Sequence, residues 1–545
     1  MLSEVWKYSR MLRAIVQHLR SPLEPDPEGI IRKQMEDRAD NFLAHATTVM
    51  SMPEHPYAVM FRLAGCSYAD LESSVRRDGI ETTLQKLLDE GVFLTHEEFR
   101  GKKEIVRSGR RIPALASMWN NPASKGGYVQ SSSGTSGRPV TTFYSVAAAR
   151  HGESFGMLFL REFSFYGGAR VILAPILPGS GLLSAITVGR LLGGYDRWFA
   201  TGGTSSKNLH YRIVTRLLVA EAKLLGLRVP YPTYLEQNDF LPAAEYAKKR
   251  LDAGDQVGLH GFVSVIARVA EAALSNGLEL TGCRALTGGE ALTDAKRQLI
   301  ESAGIRVYSS YGTTDFGGIG MPCSQMSTGN CSHVLKHAIA LVSRTQENAW
   351  TDMQVNSLYA TSLAPLASRI FINAEIGDTG VIEKATCDCS FSKLGFDLQV
   401  RDIAAISKVT AQGVTIETTE LVPLLEEALP ARFGGHSGDY QLCETEAGSQ
   451  TEIVLRIRPG VSAAPSNDIL KHFLDEVKRV YGGSLSVVSW LHSEGIRAEV
   501  VPPVLAATGK FRAVRLLGAS AQRALELNRP ASETQKRARS AATGS

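Results

Sequence analysis

Residues 283–312 read CRALTGGEALTDAKRQLIESAGIRVYSSYG, and the fold of the chain turns on them. Two short apolar segments, CRALTGG and IRVYSSYG, flank TDAKRQLIESAG, whose apolar residues fall at helical spacing. Both strand-like segments run out into glycine, at Gly288 and Gly289 in the first and Gly312 in the second. Strand, helix, strand is the repeating unit of α/β structure with largely parallel sheet. Ligands of such sheets collect in the loops that follow the strands, so these glycine turns fall where a binding site is expected.

The same alternation extends outward over residues 111–402. ARVILAPIL (169–177), LRVPYP (227–232) and DQVGLHGF (255–262) read as strands, and VSVIARVAEAALSNG (263–277) reads as a helix. Residues 1–110 read mostly as helix: WKYSRMLRAIVQHL (6–19) and DLESSVRRDGIETTLQKLLDEGV (70–92) carry apolar residues at three-to-four spacing, and Thr95-His-Glu-Glu98 forms a capping-box pattern. From 403 to 517 the texture changes to shorter strands (AAISKV, GVTIE, EIVLRIRPG, LSVVSWLH) mixed with two helices (ELVPLLEEAL, SNDILKHFLDEVKRVYG). The expected architecture is therefore α/β: a large N-terminal domain with mainly parallel sheets and flanking helices, followed by a small C-terminal α+β domain. Residues 518–545, rich in Ala, Ser, Arg and Lys, are expected to be a partly disordered tail.

Composition narrows the function. Lys and Arg exceed Asp and Glu by only 59 − 55 = 4, so the chain lacks the general basic surface that nucleic acid requires. Charged residues are spread through the first twenty positions, which excludes the uninterrupted apolar core of a signal peptide or membrane span and makes a cytoplasmic location the expectation. The amphipathic N-terminal helix is expected to pack on a core or against a second copy in a homodimer rather than on a membrane. The seven cysteines, Cys66, Cys283, Cys323, Cys331, Cys387, Cys389 and Cys443, are an odd number and suit thiols or metal ligands better than a disulfide framework.

Chemistry concentrates in five motifs. Tyr128-Val-Gln-Ser-Ser-Ser-Gly-Thr-Ser-Gly-Arg-Pro-Val-Thr-Thr142 crowds the hydroxyls of Ser131, Ser132, Ser133, Thr135 and Ser136 around Gly134 and Gly137, a composition suited to holding phosphate with hydroxyl and backbone N–H donors. It is not a Walker A loop, and alone it also reads as a flexible linker. Thr287-Gly-Gly-Glu-Ala-Leu292 ends a strand with two glycines and a carboxylate, Glu290. Tyr308-Ser-Ser-Tyr-Gly-Thr-Thr-Asp-Phe-Gly-Gly318 ends the next with an aromatic face, two threonines and an acid. Ile376-Gly-Asp-Thr-Gly380 sets Asp378 between glycines, and Ala507-Thr-Gly-Lys-Phe-Arg512 places Lys510 on a glycine-hinged loop.

In this combination and order the chain resembles the adenylate-forming superfamily of acyl-CoA synthetases, adenylation domains and luciferases, most closely its phenylacetate-CoA ligase-like branch, from about residue 55 to about 515. The resemblance implies ATP-dependent activation of a carboxylic acid to an acyl-adenylate, then transfer to CoA with release of AMP. It also leaves open transfer to a carrier protein acting in trans or to an amine, and a non-catalytic nucleotide-binding scaffold. It implies that Ser131–Gly137 hold the β- and γ-phosphates with help from Arg138, that Gly288, Gly289 and Glu290 border adenine, and that Tyr311, followed by Gly312 and Thr313, stacks on it. Thr314 would meet the α-phosphate, Asp315 would hold Mg²⁺, Asp378 would accept the ribose hydroxyls, and Arg401 would reach the nucleotide from a hinge at 401–404. Lys510 would serve adenylation and then withdraw as a mobile C-terminal domain rotates. Position 315 departs from the family's usual glutamate, which puts the metal geometry in doubt.

Two further groups complete the expectation. Cys323, His333, Cys387 and Cys389 resemble a pattern of the same branch and would form a closed, structural Cys₃His zinc site, with Cys331 as rival ligand. His260, Phe262, Val263 and Ile266 mark a strand-to-helix junction that in related ligases lines the acid's pocket, apolar enough for an aryl or medium acyl group; His260 reads equally as a core histidine or a gate.

Overall fold

The structure is a computed structural model, and it describes residues 22–516 apart from 125–126, 132–140, 164–167, 178–180, 202–208, 237–238, 291, 314, 327–330, 348–353, 406–407, 412–413, 448–449, 481–486, 488–489, 492–494 and 505–512. The N-terminal amphipathic segment and the C-terminal tail fall outside the described residues.

The alternating region forms a six-stranded parallel sheet from β1 (Ala169–Pro175), β2 (Arg197–Thr201), β3 (Pro232–Tyr234), β4 (Val257–Phe262), β5 (Cys283–Gly288) and β6 (Arg306–Ser309), in the order β6-β5-β4-β1-β2-β3. The unit quoted at the outset supplies β5, the helix Asp294–Ser302 and β6, paired in parallel from Arg284↔Arg306 to Thr287↔Ser309. Thr293 starts that helix by accepting the Lys296 N–H at its side-chain oxygen (3.3 Å), which satisfies one of the donors a helix N-terminus leaves open.

Beyond Gly312 the connections shorten, and short connections can join only antiparallel neighbours. A second sheet of seven strands follows: β7 (Tyr311–Thr313), β8 (Gly317–Met321), β9 (Ser332–Val334), β10 (Ile339–Glu347), β11 (Gln354–Ser362), β12 (Ala374–Lys384) and β13 (Leu398–Ala405), in the order β7-β8-β9-β13-β12-β11-β10. Among the described residues all its pairings are antiparallel, so the large α/β part joins one parallel sheet to one antiparallel sheet.

Burial of apolar side chains explains how the layers assemble. One core joins the two sheets, with Ile172, Trp198 and Leu286 from the parallel sheet meeting Ile319, Leu358, Ile376 and Val400 from the antiparallel one. A second lies under the N-terminal helices, where Phe42, Tyr57, Leu84 and Leu88 pack against Tyr359, Phe371 and Ile372. The Thr95–Glu98 capping box forms as the sequence implies. A third fills the other face of the parallel sheet, including Leu173, Leu259, Val263 and Ile266.

The fourth core draws its residues from 421 to 514 and lies against a four-stranded sheet of β14 (Tyr440–Ala447), β15 (Gln450–Ile457), β16 (Ile496–Val500) and β17 (Val514–Leu516), ordered β16-β15-β14-β17. The segment LSVVSWLH differs from its strand reading: Val487, Trp490 and Leu491 are helical. Among its described residues, buried Val487 and Trp490 sit three apart, the spacing of one helix face. Buried Lys296 donates from Nζ to Thr451 Oγ1 at 3.0 Å, tying the β5–β6 crossover to β15.

Candidate functional site

The ends of β4, β5 and β6 meet the start of the antiparallel sheet. Gly288 closes β5 so near to Ser310 that a Cβ added there would lie 2.7 Å from its Oγ, and Gly289, at φ +77°, would place one 3.1 Å from the Phe262 ring. The positive φ favours glycine at 289, and a side chain at 288 would displace the Ser310 hydroxyl. Gly312 is equally constrained, because a Cβ would lie 2.7 Å from the Gly317 carbonyl oxygen across the β7–β8 hairpin. Thr313 accepts the Phe316 N–H at its Oγ1 (3.3 Å), shaping that turn.

The turn brings two distant motifs together. The Tyr311 hydroxyl donates to Asp378 Oδ2 at 2.8 Å, across a separation of 67 residues. Burial raises the Tyr311 phenol well above its ordinary range, and the Asp378 carboxylate adds to the shift, so the phenol keeps its proton and remains a donor. An aromatic ring and a buried carboxylate thus stand side by side beyond the ends of β5 and β6.

Glu290, expected to border adenine, has its carboxylate engaged within the protein. Its carboxylate accepts the Ser264 N–H (2.8 Å) and the Ser264 hydroxyl (2.9 Å), capping the helix Val263–Ser275 and fastening the loop after β5 to the end of β4. Arg401 on β13 pairs with Glu383 at 2.9 Å and with its neighbour Asp402. Asp402 sits at φ 52°, a left-handed conformation uncommon for a non-glycine residue, within the 401–404 segment that the resemblance implies to be a hinge.

Asp315, expected to hold Mg²⁺, is paired with two arginines. Arg100 donates to its Oδ2 at 2.6 Å and Arg369 to its Oδ1 at 2.7 Å; Asp315 is buried and the two arginines are largely so. Both carboxylate oxygens are therefore committed, and two guanidinium charges flank the position at which a cation was expected. These residues do not fit Mg²⁺ at Asp315 as arranged. Sequence reasoning missed Arg100 and Arg369, because neither belongs to a motif and the contact exists only once the chain has folded.

The cysteine expectation can be tested against tetrahedral geometry. The ligand atoms of Cys323, His333, Cys387 and Cys389 all lie within 4.8 Å of one another. Zn–S bonds of about 2.3 Å in a tetrahedron require S···S edges of about 3.8 Å. Cys387 Sγ is 3.8 Å from Cys323 Sγ and 3.7 Å from Cys389 Sγ. His333 Nε2 is 3.2 Å from both Cys387 and Cys389. The His333 Nδ1–H donates to the Phe396 carbonyl (2.8 Å), which turns the Nε2 lone pair toward the thiols. Ser392 donates its N–H to Cys389 Sγ at 3.4 Å. Cys331, the rival, lies outside this group, with its thiol pushed up to about 11 by burial. The residues fit a zinc ion.

The expected acyl wall is only partly open. Val263 and Ile266 are fully buried in the third core, because the first turn of the helix directs them behind the parallel sheet. Phe262 and His260 retain accessible surface. Ser131 ends the strand Gly127–Ser131, which pairs with Thr141–Ser145, and Ser132–Gly137, Arg138, Thr314 and Lys510 lie outside the described residues.

No protein-family model and no curated protein matches this sequence. Among solved structures, the chain is similar to 2-hydroxyisobutyryl-CoA ligase in complex with 2-HIB-AMP and CoA in the thioesterification state, with a TM-score of 0.54 at 16% identity over 92% of this chain and 91% of that one. Fainter likenesses are to o-succinylbenzoate CoA synthetase from Bacillus subtilis (TM-score 0.39, 11% identity, 71% and 68% covered) and to the amide bond synthetase McbA from Marinactinospora thermotolerans (TM-score 0.30, 11% identity, 92% and 100% covered). The fold is that of the adenylate-forming enzymes, and this rests on the first of the three. Among the described residues, no helix is long and apolar enough to cross a membrane.

Proposed function

We propose that the chain activates a carboxylic acid with ATP and transfers the acyl group to CoA. The observation that carries this reading is the Tyr311–Asp378 hydrogen bond beside Gly288, which gathers three of the ordered motifs at one sheet edge in a fold of the right class. A carboxylate oxygen of the acid attacks the α-phosphorus, the bond to pyrophosphate breaks, and acyl-adenylate remains. The CoA sulfur then attacks the acyl carbon, the thiol proton is lost, and AMP departs.

The chain's own residues supply positioning and charge, which is most of what phosphoryl chemistry asks of a protein. Ser131–Gly137 and Arg138 hold the β- and γ-phosphates, and Thr314 holds the α-phosphate. Tyr311 stacks on adenine with its hydroxyl fixed by Asp378, which also receives the ribose. Lys510 bridges the acid's carboxylate and the α-phosphate in the first half-reaction only. Cys323, His333, Cys387 and Cys389 would hold a zinc ion that supplies cross-linking and no chemistry, since four protein ligands leave no open position. The accessible Phe262 suits an aryl or medium acyl chain, and the motif pattern favours the phenylacetate-CoA ligase-like branch.

Carboxylate-dependent exchange of labelled pyrophosphate into ATP, run over a broad panel of acids, tests the reading. Exchange with at least one acid is expected, and none with any would leave only a nucleotide-binding scaffold. Adding CoA and detecting thioester then decides between CoA and a carrier protein or amine as acceptor. Lys510→Ala is expected to lower exchange by a factor of about a thousand, the scale of losing one preorganised charge at a developing anion. It should largely spare thioester formation from supplied acyl-adenylate; equal loss in both halves would contradict a lysine that withdraws.

A further inference from the structure

His260 carries more information than a pocket wall. It lies in mid-strand on β4, in register with Ile172 of β1 and Leu286 of β5, both of which belong to the core joining the two sheets. It lies two positions before Phe262 at the strand end, roughly 7 Å at the rise of a β-strand. An acid whose carboxylate meets the nucleotide beyond the strand ends therefore sends its far end down toward His260.

The ring's chemistry is fixed by one neighbour. His260 Nδ1 is 2.6 Å from the Tyr195 hydroxyl, with the rings stacked at 6.1 Å. Burial raises the Tyr195 phenol far above its ordinary range, so the hydroxyl keeps its proton. Among the described residues Nδ1 is the acceptor that hydroxyl has, and a buried hydroxyl left without an acceptor is costly, so Tyr195 donates and Nδ1 accepts. A neutral imidazole that accepts at Nδ1 carries its hydrogen at Nε2. Burial lowers the His260 pKa to about 4, so the ring is neutral at physiological pH. The Nε2 edge is neither paired with a described residue nor sealed in the core, although the ring lies deep between the sheets. It faces a cleft.

Resting on the adenylation reading above, we infer that His260, oriented by Tyr195, presents a neutral Nε2–H donor to the acyl cleft and selects acids bearing a hydrogen-bond acceptor away from the carboxylate, such as a hydroxyl, ether or carbonyl oxygen. A plain hydrocarbon acid would leave this donor desolvated and unpaired. The penalty for a buried unsatisfied donor corresponds to a preference of about tenfold to hundredfold in kcat/KM.

The test uses pyrophosphate exchange with pairs of acids matched in shape and differing in one neutral acceptor. The acceptor-bearing member of at least one pair is expected to win by that factor. His260→Phe keeps the ring and removes the donor, and should bring the pair to within about twofold of each other. His260→Gln returns an N–H donor and should restore part of the preference, a result that loss of folding would not give. Tyr195→Phe releases the tautomer and should weaken the preference without abolishing exchange. Exchange in which hydrocarbon acids do as well, with His260→Phe leaving the profile unchanged, overturns the inference and spares the adenylation reading. Absence of exchange with every acid overturns both.

Discussion

Replacing Cys389 with serine is expected to strip the chain of bound zinc and to cost it more stability than any other single change proposed for it. Structural zinc contributes about 10–16 kcal/mol of apparent binding free energy in small zinc-dependent peptides, and in a preformed site much of that acts as folding free energy. Here the ligands come from separate places: Cys323 follows β8, His333 lies on β9, and Cys387 and Cys389 sit between β12 and the short helix Ser390–Lys393. Without the ion, the two loops keep lesser ties. Gln325 bonds the Asp388 backbone, and Glu162 accepts from the hydroxyls of Ser324 and Ser390. Those contacts are exposed or partly so, and exposed hydrogen bonds contribute little net stability.

Metal analysis of protein purified without added zinc should give close to one zinc per chain for the parent and for Cys331→Ser, whose thiol lies outside the cluster. It should give close to none for Cys389→Ser or His333→Ala, and these variants should unfold at lower temperature. A parent protein without zinc would remove the site. Zinc retained by Cys389→Ser but lost by Cys331→Ser would reassign the ligands.

The fold was legible where one residue pattern admits one structure. CRALTGG, TDAKRQLIESAG and IRVYSSYG could satisfy both periodicities only as strand, helix and strand, and β5 and β6 pair in parallel as that implies. The antiparallel sheet was harder, because strands such as Gln354–Ser362 alternate clearly while nothing in them names their partners. LSVVSWLH failed as a strand for the opposite reason: a short apolar run carries no decisive period, and the fourth core selected the helical spacing of Val487 and Trp490. Within the site, the glycines and the Cys-x-Cys pair were legible because their chemistry is local. Tyr195, which bonds His260, and Glu162, which bonds Ser324 and Ser390 beside the cysteines, act through contacts that sequence spacing does not record.

Asp315→Asn is expected to destabilise the protein in the absence of any nucleotide or metal, and the sign of that effect separates two roles for the residue. A carboxylate kept open to bind a cation is a burden in the empty protein, and neutralising it leaves the apoprotein as stable as before or more so. A carboxylate buried between two arginines is the reverse case. The side chains of Arg100, Arg369 and Asp315 are respectively 9%, 13% and 5% exposed, so removing the central charge leaves two guanidinium groups facing each other with little water to screen them. Breaking a buried ion pair from one side costs about 3–5 kcal/mol, and here one change breaks two. The arginines bring distant chain segments to the turn: Arg100 ends the short helix His96–Phe99, and Arg369 precedes Ile370 and Phe371 of the second core. Asp315 thereby holds the β7–β8 turn, and with it Tyr311, against the N-terminal helices. Thermal unfolding of the apoprotein should show a drop of several degrees for Asp315→Asn. Combining it with Arg369→Met should cost less than the two changes summed, because the second removes one of the charges the first has stranded. An Asp315→Asn apoprotein as stable as its parent, with weaker Mg²⁺-dependent nucleotide binding, would return the aspartate to the metal and the arginines to a different state of the enzyme.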